Sequence, residues 1–532
     1  MNKKYSHEKK IHFESAKIDV TVVVTPGENK GSQKEVYLDK EGRYAVAVYA
    51  TALGHAAKHS DIDKFRLSSL ISDIKKQDVQ DHWKQMICFP IDWIFDKQGR
   101  LVFLLPRIPS SFTGRFLGEA HANATIWLES PFFANALFHE SPESGDFLMH
   151  LRACRKLAAA VGRIHMLGWI HTDLSANNVL IDPINGVPYI IDLDGSTKDN
   201  RTLTLLEIKT VGTAGFIAPE IFKAFVDNSK VYFSVASDLH PLAIHIYSLL
   251  LHRHPFKGVH RALERKWGAK YDNVASDDLY LSLDPQYIEA PNDPSCKHLD
   301  HIMNRYCDHY WHIVDKKPTY QKVLKAMPDW IDITKFSARK ICGPYLAELF
   351  NRAFIDGITN PMKRPSTREW QDAISKTINL LQVCPKCYHG GMSHFVYDGE
   401  GAAICPFCGR KAPSAPFLTF HYFSRFRGEY LKGQESYLTC YDGRSLFVHQ
   451  IEGTPIDENV KPVVMGKIYC KNGKWMIHNL ALEAVRRFKD SATFAESPTI
   501  PFGCEIVLEE DALFHLGNKG DLELIMSCNF SK

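Results

Sequence analysis

The chain has 532 residues, of which 45% are hydrophobic and 23% charged, and its formal net charge is +3. This length predicts several domains rather than one core. The net charge argues neither for nor against nucleic acid, but no strong basic block occurs, and we expect no nucleic-acid partner. The sequence contains no run of about 18 apolar residues, so we expect no membrane span. The basic N-terminus lacks the apolar core of a signal peptide, so we expect a cytoplasmic protein.

The first two-thirds of the chain predict two structural units. A polar lead-in is expected over 1–20. Alternating strand patterns at 20–25, 35–37, 44–49 and 101–106, with a helical pattern at 55–78, predict a small unit over 21–108. Helical spacing at 147–167 and 343–382, with irregular segments at 111–145 and 256–335, predicts a larger unit over 109–382.

The stretch after the 147–167 helix carries the strongest chemical signal. Asp173 precedes Asn178 by five positions, and Asp192 follows the apolar residues 189–191. In phosphoryl transfer one carboxylate orients the attacking hydroxyl and accepts its proton, while an amide oxygen and a second carboxylate hold Mg²⁺. We therefore predict Asp173, Asn178 and Asp192 as catalytic residues. The alternative interpretation is a polar turn before a strand.

Further motifs in the same order resemble those of protein kinases. Residues 211–220 (VGTAGFIAPE) are similar to the end of the family's activation segment. Asp238 stands where a large-lobe helix Asp supports the catalytic loop, and Arg364 matches the Arg that pairs with the Glu of Ala-Pro-Glu, here Glu220. Thr213 indicates Ser/Thr substrates. The resemblance implies an α+β, bilobal protein-kinase-like fold that transfers the γ-phosphoryl group of ATP, with Mg²⁺, to Ser/Thr hydroxyls of protein substrates.

The nucleotide clamp departs from the family pattern. Tyr49 occupies the position of the phosphate-binding lysine on the third strand, and the loop at 29–37 keeps one of three glycines. Lys34 stands at the third glycine position, which resembles the with-no-lysine kinases, where a second-strand lysine supplies the cation. The alternatives are a solvated lysine beside an inactive nucleotide site and an engineered inactivating change. The predicted cofactor-binding residues are Lys34, Gly31, Val36, Asn178 and Asp192.

The acidic partner of the nucleotide lysine is also unusual. The helical pattern at 55–78 contains no Glu, so an Asp must supply the carboxylate if the helix does. Asp61 and Asp63 are the acids nearest its start, and we choose Asp63.

Segments 237–258 and 343–354 resemble a narrower group of bacterial kinases. Members of this group belong to phosphorylation triads at tellurite-resistance-type stress loci. The resemblance covers roughly residues 30–410. It implies a metal-dependent protein phosphatase and a von Willebrand A-domain protein as partners, and a role in bacterial stress or defence signalling.

Two CxxC pairs predict a small zinc ribbon over 383–412. The pairs are separated by 17 residues, a spacing that brings four thiolates to one tetrahedral Zn²⁺. A site closed by four cysteines is structural, and the alternative is four free or redox cysteines. The predicted metal ligands are Cys384, Cys387, Cys405 and Cys408.

Short alternating strands over 415–532 predict a C-terminal all-β, sandwich-like module. The module faintly resembles a forkhead-associated domain, but the phosphothreonine-binding residues of that family have no clear counterparts here. We therefore favour a packing or partner-docking role. A pseudokinase scaffold that recruits partners through its ribbon and β module is the main functional alternative, because the glycine-rich loop is degraded and Ser175 replaces a family lysine. Nucleotidyl transfer is a less favoured third option.

Overall fold

The structure is a computed structural model. It describes residues 7–24, 34–49, 61–77, 80–112, 146–182, 185–199, 201–203, 212–213, 215–251, 254–256, 287, 289, 337–386, 394–426, 429–457, 460–489, 497–519 and 522–531. Gly31, Cys387 and almost all of the two irregular segments lie outside these residues. Within them, no helix is both long and apolar enough to cross a membrane.

The small lobe is a four-stranded antiparallel sheet in the order β3-β4-β6-β5. A hairpin (β1 and β2) precedes the sheet, and two helices (α1 and α2) follow β4. The bounds are β1 His7–Phe13, β2 Ile18–Val24, β3 Lys34–Leu38, β4 Tyr44–Tyr49, α1 Asp61–Lys76, α2 Asp81–Lys84, β5 Asp92–Phe95 and β6 Leu101–Pro106.

The central strand β4 is covered on both faces, which explains its nearly continuous apolar sequence. Val46 and Val48 pack with the β1–β2 hairpin, while Ala47 packs with Leu67 of α1 on the opposite face. The expected polar lead-in at 1–20 is therefore wrong for residues 7–20. Phe13 is fully buried in this core although the preceding residues 7–10 are polar and exposed.

The large lobe is mainly helical. Short strands pair as β7 with β10, β8 with β9 and β11 with β12. Its elements are α3 Phe147–Met166, β7 Trp169–Ile170, β8 Val179–Asp182, β9 Val187–Ile190, β10 Thr197–Lys198, β11 Arg201–Leu203, α4 Pro219–Val226, β12 Val231–Phe233, α5 Val235–Leu251, α6 Ala338–Asn351, a π-helical turn Arg352–Asp356, α7 Gly357–Thr359 and α8 Thr367–Asn379.

Helix α5 forms the centre of this lobe. Every residue from Ala236 to Leu251 is buried, as expected for a helix that is apolar all round and surrounded by other elements. Helices α3 and α6 pack against it, and the core they share extends to the catalytic loop through Leu174 and Leu193. The loop is therefore anchored in the main apolar core of the lobe.

The ion pair expected between Glu220 and Arg364 is present and joins α4 to the segment before α8. The guanidinium donates two parallel bonds of 2.7 Å to the carboxylate, and it also donates to the carbonyls of Ala236 and Gly357. The Arg364 side chain is fully buried. Its charge therefore needs every one of these acceptors.

The cysteine-containing segment and the β module follow α8. Strands β13 Leu381–Val383 and β14 His394–Val396 pair with each other. The module then forms two antiparallel sheets, ordered β16-β15-β25-β24-β21-β22 (with β17 also on β15) and β18-β19-β20-β23, around one apolar core. Its elements are β15 Pro416–Phe426, β16 Glu429–Lys432, β17 Ser436–Thr439, β18 Ser445–Phe447, α9 Val448–Glu452, β19 Val464–Lys471, β20 Lys474–Asn479, β21 Val485–Phe488, β22 Thr499–Ile500, β23 Glu505–Leu508, β24 Ala512–Lys519 and β25 Leu522–Phe530.

A buried arginine of the β module caps the last helix of the large lobe. Arg444 donates to the carbonyl oxygens of Ile378 (3.0 Å) and Leu381 (3.1 Å) and to Thr439 within its own module. The C-terminal carbonyls of a helix have no partner inside the helix and attract a cation. Gln450 adds a 2.7 Å bond to the Asn379 side chain, so several polar contacts fix the module to the lobe.

Glu220→Gln should destabilise the protein by about 2–3 kcal/mol, because it leaves the buried Arg364 charge without its carboxylate. Asp372→Asn breaks an exposed pair with Arg368 and should cost less than about 0.5 kcal/mol. Urea unfolding of both variants measures the difference. Equal losses in the free energy of unfolding would show that the buried Glu220–Arg364 pair stabilises the protein no more than the exposed pair does.

Arg444→Met should cost about 3 kcal/mol or more, since it removes one buried cation from several carbonyl acceptors at once. Arg368→Met, at an exposed site, is the matched control and should leave stability nearly unchanged. Limited proteolysis should cut the Arg444 variant faster between α8 and β15. An unchanged cleavage pattern would show that the cap does not hold the module.

Candidate active site

The catalytic loop is held by a buried carboxylate of helix α5. Asp238 accepts hydrogen bonds from the backbone amides of His171 (2.7 Å) and Thr172 (3.2 Å) and contacts the His165 ring. Thr172 has a φ of 69°, a strained value for a branched residue. The His171 ring lies 2.9 Å from the Ile191 carbonyl, just before Asp192. Asp238 therefore fixes the backbone conformation of the loop that contains Asp173.

The structure brings Asp173 and Asn178 together. The Asn178 amide nitrogen donates to the Asp173 carbonyl (2.9 Å) and to its carboxylate (3.2 Å), and Thr213 donates to the other carboxylate oxygen at 3.0 Å. Asn178 lies in a short 3₁₀ helix, Ala176–Asn178, ahead of β8. Because its nitrogen bonds Asp173, its amide oxygen is the atom suited to a hard cation such as Mg²⁺.

Lys34 lies against the turn that begins at Asp192. It opens β3 and is paired in register with Tyr49, the last residue of β4. Its ammonium contacts the Asp192 carboxylate and lies 3.2 Å from Asp194, while the Tyr49 hydroxyl donates to Asp194. Lys34 on β3 thus places its ammonium beside Tyr49, the β4 residue at the position of the usual lysine.

The pKa values in this cluster follow from burial and from the close charges. Burial and the adjacent Asp194 raise the pKa of Asp192 to about 8. Burial opposes the charge of Asp194 as well, but contact with Lys34 holds its pKa below the ordinary value. Burial also opposes the Lys34 charge, yet the attraction of Asp194 and Asp192 outweighs it and raises the Lys34 pKa. Lys34 and Asp194 therefore form a charged pair.

Helix α1 presents a cation to this turn. Arg66 is buried and donates to the carbonyl oxygens of Asp194 (2.7 Å) and Ser196 (2.6 Å). Asp73, the acid among the described α1 side chains (65–76), bonds Trp169 and Lys198 instead of Lys34. The side chain of Asp63, the predicted partner, lies outside the described part of the structure.

The remaining predicted nucleotide residues are only partly described. Val36 lies in the middle of β3, opposite Ala47, and is exposed to 38% of its maximum. Gly31 is among the residues that the structure does not describe. Sequence reasoning missed Asp194 and Arg66, although the Asp192-Leu193-Asp194-Gly195 segment does show a second acid two positions after the first.

Three of the four predicted zinc ligands converge. The sulfur atoms of Cys384, Cys405 and Cys408 lie within 4.8 Å of one another, with Cys384 and Cys408 at 3.5 Å. Gly409 has a φ of 69° and its amide donates to the Cys405 carbonyl, which forms the tight turn after the second pair. Clustered thiols are the donor set that Zn²⁺ prefers, so the described ligands fit this metal.

Comparison with known proteins identifies the segment that contains this site. Residues 147–324 match the protein kinase domain family. The match begins at α3 and includes the catalytic loop, Asp192 and the Asp238 helix. This supports a protein serine/threonine kinase.

Several curated kinases are similar to part of the chain. Human MRCK gamma is 30% identical over 150 residues, which are 28% of this chain and 9% of the relative. The fission-yeast serine/threonine-protein kinase ssp1 is 32% identical over 146 residues, which are 26% of this chain and 21% of the relative. Human Citron Rho-interacting kinase is 23% identical over 154 residues, which are 29% of this chain and 7% of the relative. The chain thus spans less than a quarter of the length of each of these relatives.

Cys384→Ser should lower the zinc content of the purified protein, because it removes one of the clustered thiolates. Cys470→Ser changes an exposed cysteine outside the cluster and should leave the zinc content unchanged. Elemental analysis of both variants beside wild type makes the comparison. Wild-type protein free of zinc after preparation without chelators would contradict the predicted metal site.

Proposed function

We propose that this chain is an ATP-dependent protein kinase that phosphorylates Ser or Thr hydroxyls of protein substrates. The observation that carries the proposal is the contact of Asp173 with Asn178 in a loop that is bonded to Ile191, the residue before Asp192, together with the contact of the Lys34 ammonium with Asp192. The kinase family match over 147–324 supports it.

The proposed chemistry assigns a separate task to each side chain. Bound ATP and Mg²⁺ would supply the phosphoryl group and offset its negative charge. Asp173 orients the substrate hydroxyl and accepts its proton, and Thr213 fixes the Asp173 carboxylate in place. Asn178 and Asp192 supply hard oxygen ligands suited to Mg²⁺. Lys34 provides positive charge for the nucleotide phosphates, with Gly31 and Val36 as further nucleotide contacts.

The cellular role is proposed on resemblance alone. Segments 237–258 and 343–354 support a place in bacterial stress or defence signalling. They also support a metal-dependent phosphatase and a von Willebrand A-domain protein as partners, in the cytoplasm. The ribbon at 383–412, with Zn²⁺ on Cys384, Cys387, Cys405 and Cys408, is proposed as a structural element.

A pseudokinase scaffold is the competing function. Ser175, in place of a family lysine, is buried and its hydroxyl makes no hydrogen bond among the described residues, so it adds no charge to the site. The polar contacts that fix the β module to α8 also suit a rigid recruitment platform. Measured phosphate transfer separates the two functions.

Asp173→Ala should lower the rate of phosphate transfer by about 10²–10⁴-fold, the usual effect of losing a general base, while ATP still binds. Labelled ATP with Mg²⁺, the protein itself and a general protein acceptor form the assay. Lys223→Ala, an exposed substitution on α4, is the control and should transfer normally. Wild-type protein that binds ATP without any transfer would favour the scaffold.

Lys34→Ala should weaken both ATP binding and transfer, because it removes the cation proposed for the phosphates. Lys40→Ala, which breaks an exposed pair with Glu8 in the same lobe, is the matched control and should behave like wild type. Titration with a fluorescent ATP analogue measures binding independently of turnover. Wild-type affinity and turnover in Lys34→Ala would show that the nucleotide lysine lies elsewhere.

A further inference from the structure

We infer that Asp194 is the positioning residue for Lys34 and takes the part that the sequence assigned to an acid of helix α1. The inference rests on the proposed nucleotide site and deepens it. Lys34 and Asp194 are 160 positions apart along the chain, yet the ammonium lies 3.2 and 3.3 Å from the two Asp194 carboxylate oxygens.

Asp194 is better placed than Asp192 to hold the lysine permanently. The Asp192 side chain is one-third exposed, whereas that of Asp194 is 7% exposed. Mg²⁺ on Asp192 would repel the ammonium and compete for its carboxylate oxygens. The Asp194 carboxylate then remains as the contact that keeps Lys34 directed toward the phosphates.

Two further side chains fix Asp194 itself. The Tyr49 hydroxyl donates to one carboxylate oxygen of Asp194. Tyr49 occupies the position of the usual lysine, and through Asp194 it helps to position Lys34. Arg66 of α1 bonds the Asp194 and Ser196 carbonyls and thereby ties the helix to the turn. Helix α1 therefore acts on the lysine through the backbone of the turn, and Asp73, the acid among its described side chains (65–76), bonds Trp169 and Lys198 instead.

This arrangement makes a specific energetic prediction. If Asp194 acts through Lys34, removing the Asp194 charge matters only while the lysine is present. A residue needed only for the shape of the turn would cost the same in either background. The double-mutant cycle of Lys34→Ala and Asp194→Asn distinguishes these cases.

The experiment compares wild type, Lys34→Ala, Asp194→Asn and the double variant in the full-length protein. ATP affinity, the KM for ATP, kcat and the urea midpoint of the nucleotide-free protein are measured for each. Asp194→Asn should weaken ATP binding at least about tenfold in the wild-type background, the effect of losing one charged hydrogen bond. In the Lys34→Ala background it should cause little further loss. The urea midpoints should also be non-additive.

Asp63→Asn and Asp73→Asn are the matched acid-to-amide variants on α1. Neither should show coupling to Lys34→Ala, and Tyr49→Phe should reproduce part of the Asp194→Asn effect. Coupling between Asp63 and Lys34, or equal losses from Asp194→Asn in both backgrounds, would overturn the inference.

The outcomes separate the inference from the proposed function. Wild-type transfer with additive effects overturns the inference alone. Coupled ATP binding without any transfer overturns the kinase activity and supports the role of Asp194. Wild-type protein that binds no ATP overturns both.

Discussion

The candidate active site depends on one buried carboxylate at the start of a buried helix. Asp238 accepts the amides of two successive catalytic-loop residues, and the strained backbone of Thr172 persists because this acceptor and the surrounding core hold it. The same loop then directs Asp173 toward Thr213 and Asn178. A rigid helix is a suitable base for such a constellation, because small displacements of a catalytic group cost much of its effect.

The second half of the site comes from the small lobe and is organised by charge. Two aspartates two positions apart would repel each other in a buried turn, and the Lys34 ammonium offsets that repulsion. The positive φ of Asp192 turns its backbone so that both carboxylates lie near this cation. In the proposed function, nucleotide phosphates would draw on the Lys34 ammonium and Mg²⁺ would draw on the Asp192 carboxylate, so the binding of each would affect the other.

Asp173 and Asn178 are close along the chain, so the sequence could place them in one loop, and the structure brings them into contact. The pairs Asp238 with the loop and Glu220 with Arg364 were also predicted, since the resemblance supplied their positions. Asp194 could not be predicted as the partner of Lys34, because the two residues are 160 positions apart along the chain. Arg66 offered no signal, since an arginine on a predicted helix is usually a solvated residue.

Two features of the architecture have no clear local signal in the sequence, for similar physical reasons. The predicted polar lead-in contains the strand His7–Phe13, whose first four residues are polar and in which only Ile11 and Phe13 are buried. In the β module, Arg444 lies near a turn, where arginine is ordinarily exposed. Neither the residues around His7–Phe13 nor those around Arg444 indicate which distant part of the fold will pack against them.

The cap that Arg444 places on helix α8 bears on how domain truncations are interpreted. A protein shortened after the ribbon would lose this cation and leave the carbonyls of Ile378 and Leu381 without their partner. Helix α8 packs directly on α3, the helix that leads into the catalytic loop. Loss of activity on deleting residues 413–532 would thus report damage to the large lobe, and it would not by itself assign a regulatory role to the deleted module.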